Sequence, residues 1–154
     1  MLSGVLIPNG LTSIGSYAFS YCRSLTNVTI PDGVVTMGDQ AFRECTELHT
    51  ISLPTSMTSI GNFTFYECTK LTSIAIPNGV TEIGYSFVSY CSSLTQVIIP
   101  SSVTVIRSNA FRGCSSLENV SIPGSVTSIG DTAFGLCSKP QPPPFHENQH
   151  PSFA

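Results

Sequence analysis

The chain contains no tryptophan and little charge. Asp, Glu, Lys and Arg supply only 10% of its 154 residues, against about 25% in an ordinary soluble domain. A surface so short of charge must be built from Ser, Thr, Asn and Gly. The basic residues Arg23, Arg43, Lys70, Arg107, Arg112 and Lys139 are scattered, and the net charge is −3. This argues against nucleic acid as a partner, which needs a clustered basic footprint. No apolar run approaches the roughly 20 residues of a membrane span. The opening, "MLSGVLIPNG", lacks a basic n-region, and Pro8, Asn9 and Gly10 interrupt its apolar stretch. It reads as a poor signal peptide. Either the protein is cytosolic, or the chain lacks the front of a longer gene product. The cysteines form no close C-x₂-C pair of the kind that zinc sites use.

What the chain does have is a lattice. Cys22, Cys45, Cys68, Cys91, Cys114 and Cys137 follow one another at 23-residue steps, and Pro8, Pro31, Pro54, Pro77, Pro100 and Pro123 keep the same step. A fixed period of this length marks a repeat protein. One unit reads "LTNVTIPDGVVTMGDQAFRECTE", residues 25–47. Leu25, Val28 and Ile30 form L-x-x-V-x-I, whose last two apolar positions alternate with Thr29 as in a strand. Pro31 has no N–H for a ladder and ends it. A "PDG" turn follows, then a second short apolar stretch at Val34 and Met37. Gly38 precedes Asp39, and that column holds Ser16, Asp39, Asn62, Tyr85, Ser108 and Asp131. Five of these are good helix N-caps. Phe42, Cys45 and Leu48 are three apart, which predicts one or two turns of helix or 3₁₀-helix. Each unit is therefore expected to be strand, turn, short strand and capped helical turn, stable only when stacked.

The pattern L-x-x-V-x-I-P…V-x-x-I-G-x-x-A-F-x-x-C-x-x-L resembles the BspA-like leucine-rich repeat over about residues 2–138. The resemblance implies a right-handed leucine-rich-repeat solenoid with a parallel β-sheet on one side, and here the short strands and helical turns would form the other. It implies a cell-surface or secreted setting and adhesion to a host protein or matrix ligand. It supplies no catalytic residues and no cofactor. Residues 1–139 form about six repeats, and 140–154 a proline-rich tail expected to be disordered. There are departures: Tyr85 stands in the cap column, Phe87 and Val88 replace Ala and Phe, Arg107 replaces the lattice glycine, and Pro140 replaces the next leucine.

Three features invite a chemical reading. The six cysteines read as buried thiols packed beside the phenylalanines, small hydrophobes with no expected hydrogen-bond partner; a disulfide or metal reading is the minor alternative. "HENQH", residues 146–150, matches the H-E-x-x-H of zinc metalloproteases, but it sits between "KPQPPPF" and Pro151. Polyproline II context disfavours the helix that such a motif needs. The only other histidine is His49, so no metal or catalytic residue is assigned. The sequons at Asn27, Asn62 and Asn119 arise easily in a chain so rich in Ser and Thr.

What remains is a surface. If Leu25, Val28 and Ile30 point inward, then Thr26, Asn27 and Thr29 point outward. Their equivalents are His49, Thr50 and Ser52; Thr72, Ser73 and Ala75; Thr95, Gln96 and Ile98; Glu118, Asn119 and Ser121. This neutral, hydroxyl-rich sheet face is the candidate ligand-binding surface, with His49, Gln96, Ile98 and Glu118 as its distinctive residues. The expected function is a non-enzymatic recognition or adhesion module for a protein or matrix ligand. The alternative is a structural segment of a longer array with no binding site of its own. The first rung begins abruptly at Leu2, Val5 and Ile7, and the last runs into the tail. The chain is therefore expected to be a fragment of a longer array or to self-associate through uncapped ends.

Overall fold

Each repeat makes one coil, and the coils stack in register. In the computed structural model, which describes residues 3–138, the strands are β1 (Ser13–Ile14), β2 (Asn27–Thr29), β3 (Thr36–Met37), β4 (Thr50–Ser52), β5 (Ser59–Ile60), β6 (Ser73–Ala75), β7 (Glu82–Ile83), β8 (Gln96–Ile98), β9 (Val105–Ile106) and β10 (Ser128–Ile129). All pairs are parallel and link residues 23 apart, as in Val28 with Ile51 and Met37 with Ile60. The coil is numbered here by its cysteine, so that coil 1 carries Cys22 and coil 6 Cys137.

The expected columns face the core. Leu25, Val28, Ile30, Val34, Met37, Phe42, Cys45 and Leu48 of coils 2 and 3 are all at most 4% exposed. Each Val, Leu, Ile or Phe buried in this way contributes about 1.5–3 kcal/mol of transfer free energy. The rings stack from coil to coil: Phe19 on Phe42 at 5.0 Å, Phe42 on Phe65 at 5.8 Å, and Phe111 on Phe134 at 5.0 Å. Coil 4 differs. Its phenyl comes from Phe87, one position early, and meets Phe65 edge-on at 5.5 Å, while Val88 fills the column.

The third side corrects the sequence expectation, because it holds no helix among the described residues. Two residues in every coil adopt the left-handed backbone, for example Tyr17 at φ 62° and Tyr21 at φ 60°, or Phe63 at 55° and Glu67 at 56°. A right-handed helix cannot run through such residues. Single turns remain, closed by bonds such as Ser20 N–H to Tyr17 O (3.1 Å) and Cys22 N–H to Phe19 O (3.2 Å). The reversals turn alternate N–H groups toward the next coil. Tyr17, Phe19 and Tyr21 donate to Asp39, Ala41 and Arg43 at 3.0, 2.8 and 2.7 Å. The same three bonds recur up the stack. The triplet spacing of Phe42, Cys45 and Leu48 fits successive tight turns as well as it fits a helix.

The cap residues also act between coils. Asp39 Oδ1 accepts from the backbone N–H of Asn62 at 2.7 Å, and Asn62 Oδ1 from that of Tyr85 at 2.9 Å. The glycine column is crowded by the backbone of the coil below, with a Cβ on Gly61 2.4 Å from Asp39 N and one on Gly130 2.4 Å from Ser108 N, and at several coils by the cap oxygen as well. A Cβ on Gly61 would lie 2.5 Å from Asp39 Oδ1, and one on Gly84 2.8 Å from Asn62 Oδ1. Tyr85 offers no such oxygen to the coil above it, and there alone the glycine gives way, to Arg107. The two departures form one cluster. The Arg107 guanidinium lies 5.8 Å from the Tyr85 ring centre and makes two 2.8 Å bonds to the Glu82 carboxylate.

The coupling is testable by thermal melts of a double-mutant cycle. Tyr85→Asn should lower the Tm while Arg107 is present, because the new amide crowds its Cβ. Tyr85→Asn with Arg107→Gly should recover most of that loss. Additive losses would show that the two positions are independent.

Candidate functional site

The predicted sheet face forms, with gaps. Of its residues, Asn27, Thr29, His49, Thr50, Ser52, Thr72, Ser73, Ala75, Thr95, Gln96, Ile98, Glu118, Asn119 and Ser121 are exposed, and Thr26 is half-buried. Strand β2 pairs with β4, and β6 with β8. Residues Glu118, Asn119 and Ser121 share the face but belong to no strand, so the structure brings them alongside β8 without joining them to its ladder. Part of the hydroxyl chemistry is already engaged. Thr26, Thr72 and Thr95 donate to carbonyls one coil below, at 3.2, 3.4 and 3.1 Å, and Thr50 donates to Asn27 Oδ1 at 2.7 Å. His49 turns Nδ1 to Glu47 O at 2.7 Å. The groups left for a ligand are chiefly Ser52, Ser73, Gln96, Ile98, Glu118, Asn119 and Ser121. Ile98 is 55% exposed and is the one large apolar side chain among them.

Between coils 3 and 4 both strand ladders are interrupted. Strands β4 and β6 are not paired, nor are β5 and β7. In coils 3, 5 and 6 a serine hydroxyl ties neighbouring coils: Ser56 to Val34 O (2.9 Å), Ser102 to Val80 O (2.7 Å) and Ser125 to Val103 O (2.7 Å). Gly79 occupies that column in coil 4 and has no hydroxyl to give. A polar cleft of about 380 Å³ lies at this boundary, lined by residues that include Asp39, Ser59, Asn62, Thr81 and Glu82. The turn-side bonds cross this boundary intact: Phe63, Phe65 and Glu67 donate to Tyr85, Phe87 and Ser89 at 2.8–2.9 Å.

The aromatic and cationic side chains lie on the turn flank. Tyr17, Tyr21, Tyr66, Tyr85 and Tyr90, which are all the tyrosines of the chain, fall within six successive positions of the repeat. Arg43 sits between Tyr21 and Tyr66, 5.9 and 5.1 Å from their ring centres, and Tyr66 meets Tyr90 at 5.7 Å. Strand alternation does not reveal this cluster, although the repeat register alone aligns these residues within six positions.

The cysteines are all free thiols. Five of them have a hydrogen-bond partner, where the sequence reading expected none. From Cys45 onward each donates to the carbonyl one coil below that also closes a turn: Cys45 to Phe19 O (3.0 Å), Cys68 to Phe42 O (3.2 Å), Cys91 to Phe65 O (3.1 Å), Cys114 to Val88 O (3.2 Å) and Cys137 to Phe111 O (3.1 Å). Among the described residues no group of three or more His, Cys, Asp and Glu could hold a metal ion. "HENQH" lies outside the described residues. Among them no helix is long and apolar enough to cross a membrane.

A family model described as "BspA type Leucine rich repeat region" matches residues 1–118 in 6 copies. The chain belongs to this family. Solved structures agree. A leucine rich cell surface protein from Faecalibacterium prausnitzii superposes with a TM-score of 0.83 at 42% identity, over 90% of this chain and 38% of that one. The Treponema pallidum leucine rich repeat protein gives 0.75 at 30% identity, over 90% and 71%. A leucine-rich repeat protein from Eubacterium ventriosum gives 0.69 at 28%, over 95% and 46%. This BspA-type array thus spans less than half of the F. prausnitzii structure. No curated protein matches the chain.

The thiol ladder of the array has two measurable consequences. Burial pushes Cys45 and Cys114 up to about 12, and Cys68 and Cys91 well above the ordinary thiol value of 9.0. The fold favours their protonated form, so this stabilisation is whole below about pH 8.5 and is lost as pH rises toward 12. Native protein should expose at most Cys22 and Cys137 to a maleimide at pH 8, and urea midpoints should fall steadily above pH 9; rapid labelling of Cys68 would contradict the burial. Cys68→Ser keeps a donor for Phe42 O and should cost about 1 kcal/mol, at the low end of the 1–3 kcal/mol for an unpartnered hydroxyl.

Proposed function

We propose that this chain is a non-enzymatic recognition segment of the adhesion type, which presents its sheet face to a protein or extracellular-matrix ligand. The observation that carries this reading is the register of the face. Exposed side chains from four consecutive strands stand in columns one coil apart, backed by a core that fixes their positions. A flat array of hydroxyl and amide groups offers many hydrogen bonds over a broad area. Without aromatic or arginine anchors, such a face binds with modest affinity per coil, and repetition along a longer array compensates through avidity.

The alternative is a structural segment that only spaces other parts of a longer array. The threonine hydroxyls already bonded between coils favour it, because they stiffen the stack without any ligand. Metalloprotease activity through "HENQH" has the least support.

The readings separate in a binding assay. The array is displayed to purified matrix and epithelial-surface proteins, and Ser52→Arg, Ser73→Arg and Gln96→Arg are compared with wild type. All three sites are exposed, so the fold should be kept. The recognition reading predicts capture that falls about tenfold or more, equivalent to at least ~1.4 kcal/mol, on any one of these changes. Capture unaffected by all three would remove the sheet face as the binding surface. No capture by wild type would favour the spacer.

A further inference from the structure

The boundary between coils 3 and 4 leaves backbone groups unused that every other boundary pairs. Elsewhere two bonds clamp the second strand to the coil below, as in Thr58 N–H to Val35 O (2.9 Å) and Gly61 N–H to Met37 O (2.8 Å). Both recur at the coil 1–2, 4–5 and 5–6 boundaries. Among the described residues the equivalent pairs here, Thr81 with Thr58 and Gly84 with Ile60, are not bonded. Thr81 Oγ1 also lacks the carbonyl bond that Thr58, Thr104 and Thr127 make.

The coils stand apart at this place. A Cβ on Gly38, Gly61 or Gly130 would lie 2.4–2.5 Å from a backbone nitrogen of the coil below, whereas one on Gly84 meets no backbone atom nearer than 3.4 Å. The turn side of the same boundary stays closed at 2.8–2.9 Å, so the gap is a wedge. Thr58, Ile60, Thr81 and Gly84 all line the cleft of about 380 Å³, a volume near the small end of the roughly 300–1,000 Å³ of ligand pockets. Gly84 and Ile60 are buried, and buried backbone groups are almost always paired.

The free groups are mixed. Thr81 N–H, Thr81 Oγ1 and Gly84 N–H can donate, while Thr58 O, Ile60 O and Asp39 Oδ2 can accept. Glu82 spends both carboxylate oxygens on Arg107, which leaves Asp39 as the one unpaired charge of the cleft. A carboxylate disfavours an anionic ligand, and the N–H donors disfavour a simple cation. Hydroxyl groups both donate and accept, so several of them on one neutral ring match this set.

We propose that the cleft is a subsite for a neutral sugar residue, separate from the sheet face and independent of its role. Ring hydroxyls accept from Thr81 and Gly84 and donate to Asp39, Thr58 and Ile60, replacing the bonds that the two coils do not make with each other.

Amide NMR of the full chain, titrated separately with glucose, galactose, mannose and N-acetylglucosamine, tests this. At least one sugar should give saturable shifts at Thr81 and Gly84, with Thr104, Gly130 and the sheet-face amides of Ser73 and Gln96 unmoved. Asp39→Asn keeps an Oδ1 for Asn62 N–H, as Asn62 does for Tyr85, and should weaken the sugar about tenfold by removing a charged acceptor. Thr81→Val should weaken it severalfold. Unchanged Phe65 and Phe87 amides check that both variants keep the stack. Ser73→Arg should leave sugar binding intact, which separates this site from the sheet face. No saturable shift with any of these sugars, or binding indifferent to both cleft variants, would overturn the proposal. Shifts with ethylammonium but with no sugar would make the cleft a cation site and overturn it equally.

Discussion

The fold depends on hydrogen bonds between coils on the turn side. At each interface three alternate N–H groups donate to carbonyls 22 residues ahead, and this set continues where both strand ladders lapse. The bonds exist because two residues per coil reverse the backbone hand. Of the positions that do so, only Gly113 is a glycine. A left-handed conformation costs an ordinary residue roughly 1–2 kcal/mol. The cost is offset where each reversal frees donors for the next coil and brings phenyl rings and thiols into the core.

The same constraint accounts for the residue types in the lattice. The thiol reaches a carbonyl that already accepts a backbone bond, so cysteine serves as a donor as well as a filler. The cap oxygens of Asp39 and Asn62 bond the next coil's backbone and add to the backbone crowding that keeps glycine beside them. When coil 4 replaces the cap by Tyr85, Arg107 can replace the glycine and pair with Glu82. Irregularities therefore come in linked sets. Gly79, Tyr85 and Phe87 all fall in coil 4, next to the interrupted ladders and the polar cleft.

Much of this was legible in the sequence. The period, the inward columns at Leu25, Val28 and Ile30, and the second strand at Met37 follow from alternation and spacing. The turn side did not, because apolar residues three apart serve a helix and a chain of tight turns equally, and no glycine column marks the left-handed positions. The sheet-face residues were placed by alternation alone. Their engagement with neighbouring carbonyls was hidden, since the partners are 23 residues away. The tyrosines share six neighbouring positions of the repeat, but they fall outside the strands, where alternation carries no signal.

A stack held chiefly on one flank opens on the other flanks first. Native-state hydrogen exchange in low denaturant measures this directly. The amides of Phe42, Phe65 and Phe111 should exchange last, only through global unfolding, while those of Thr72 and Thr81 at the coil 3–4 boundary exchange through smaller openings. If the strand amides outlast the turn-side amides, the sheet rather than the turn ladder holds the array together, and the central claim is wrong.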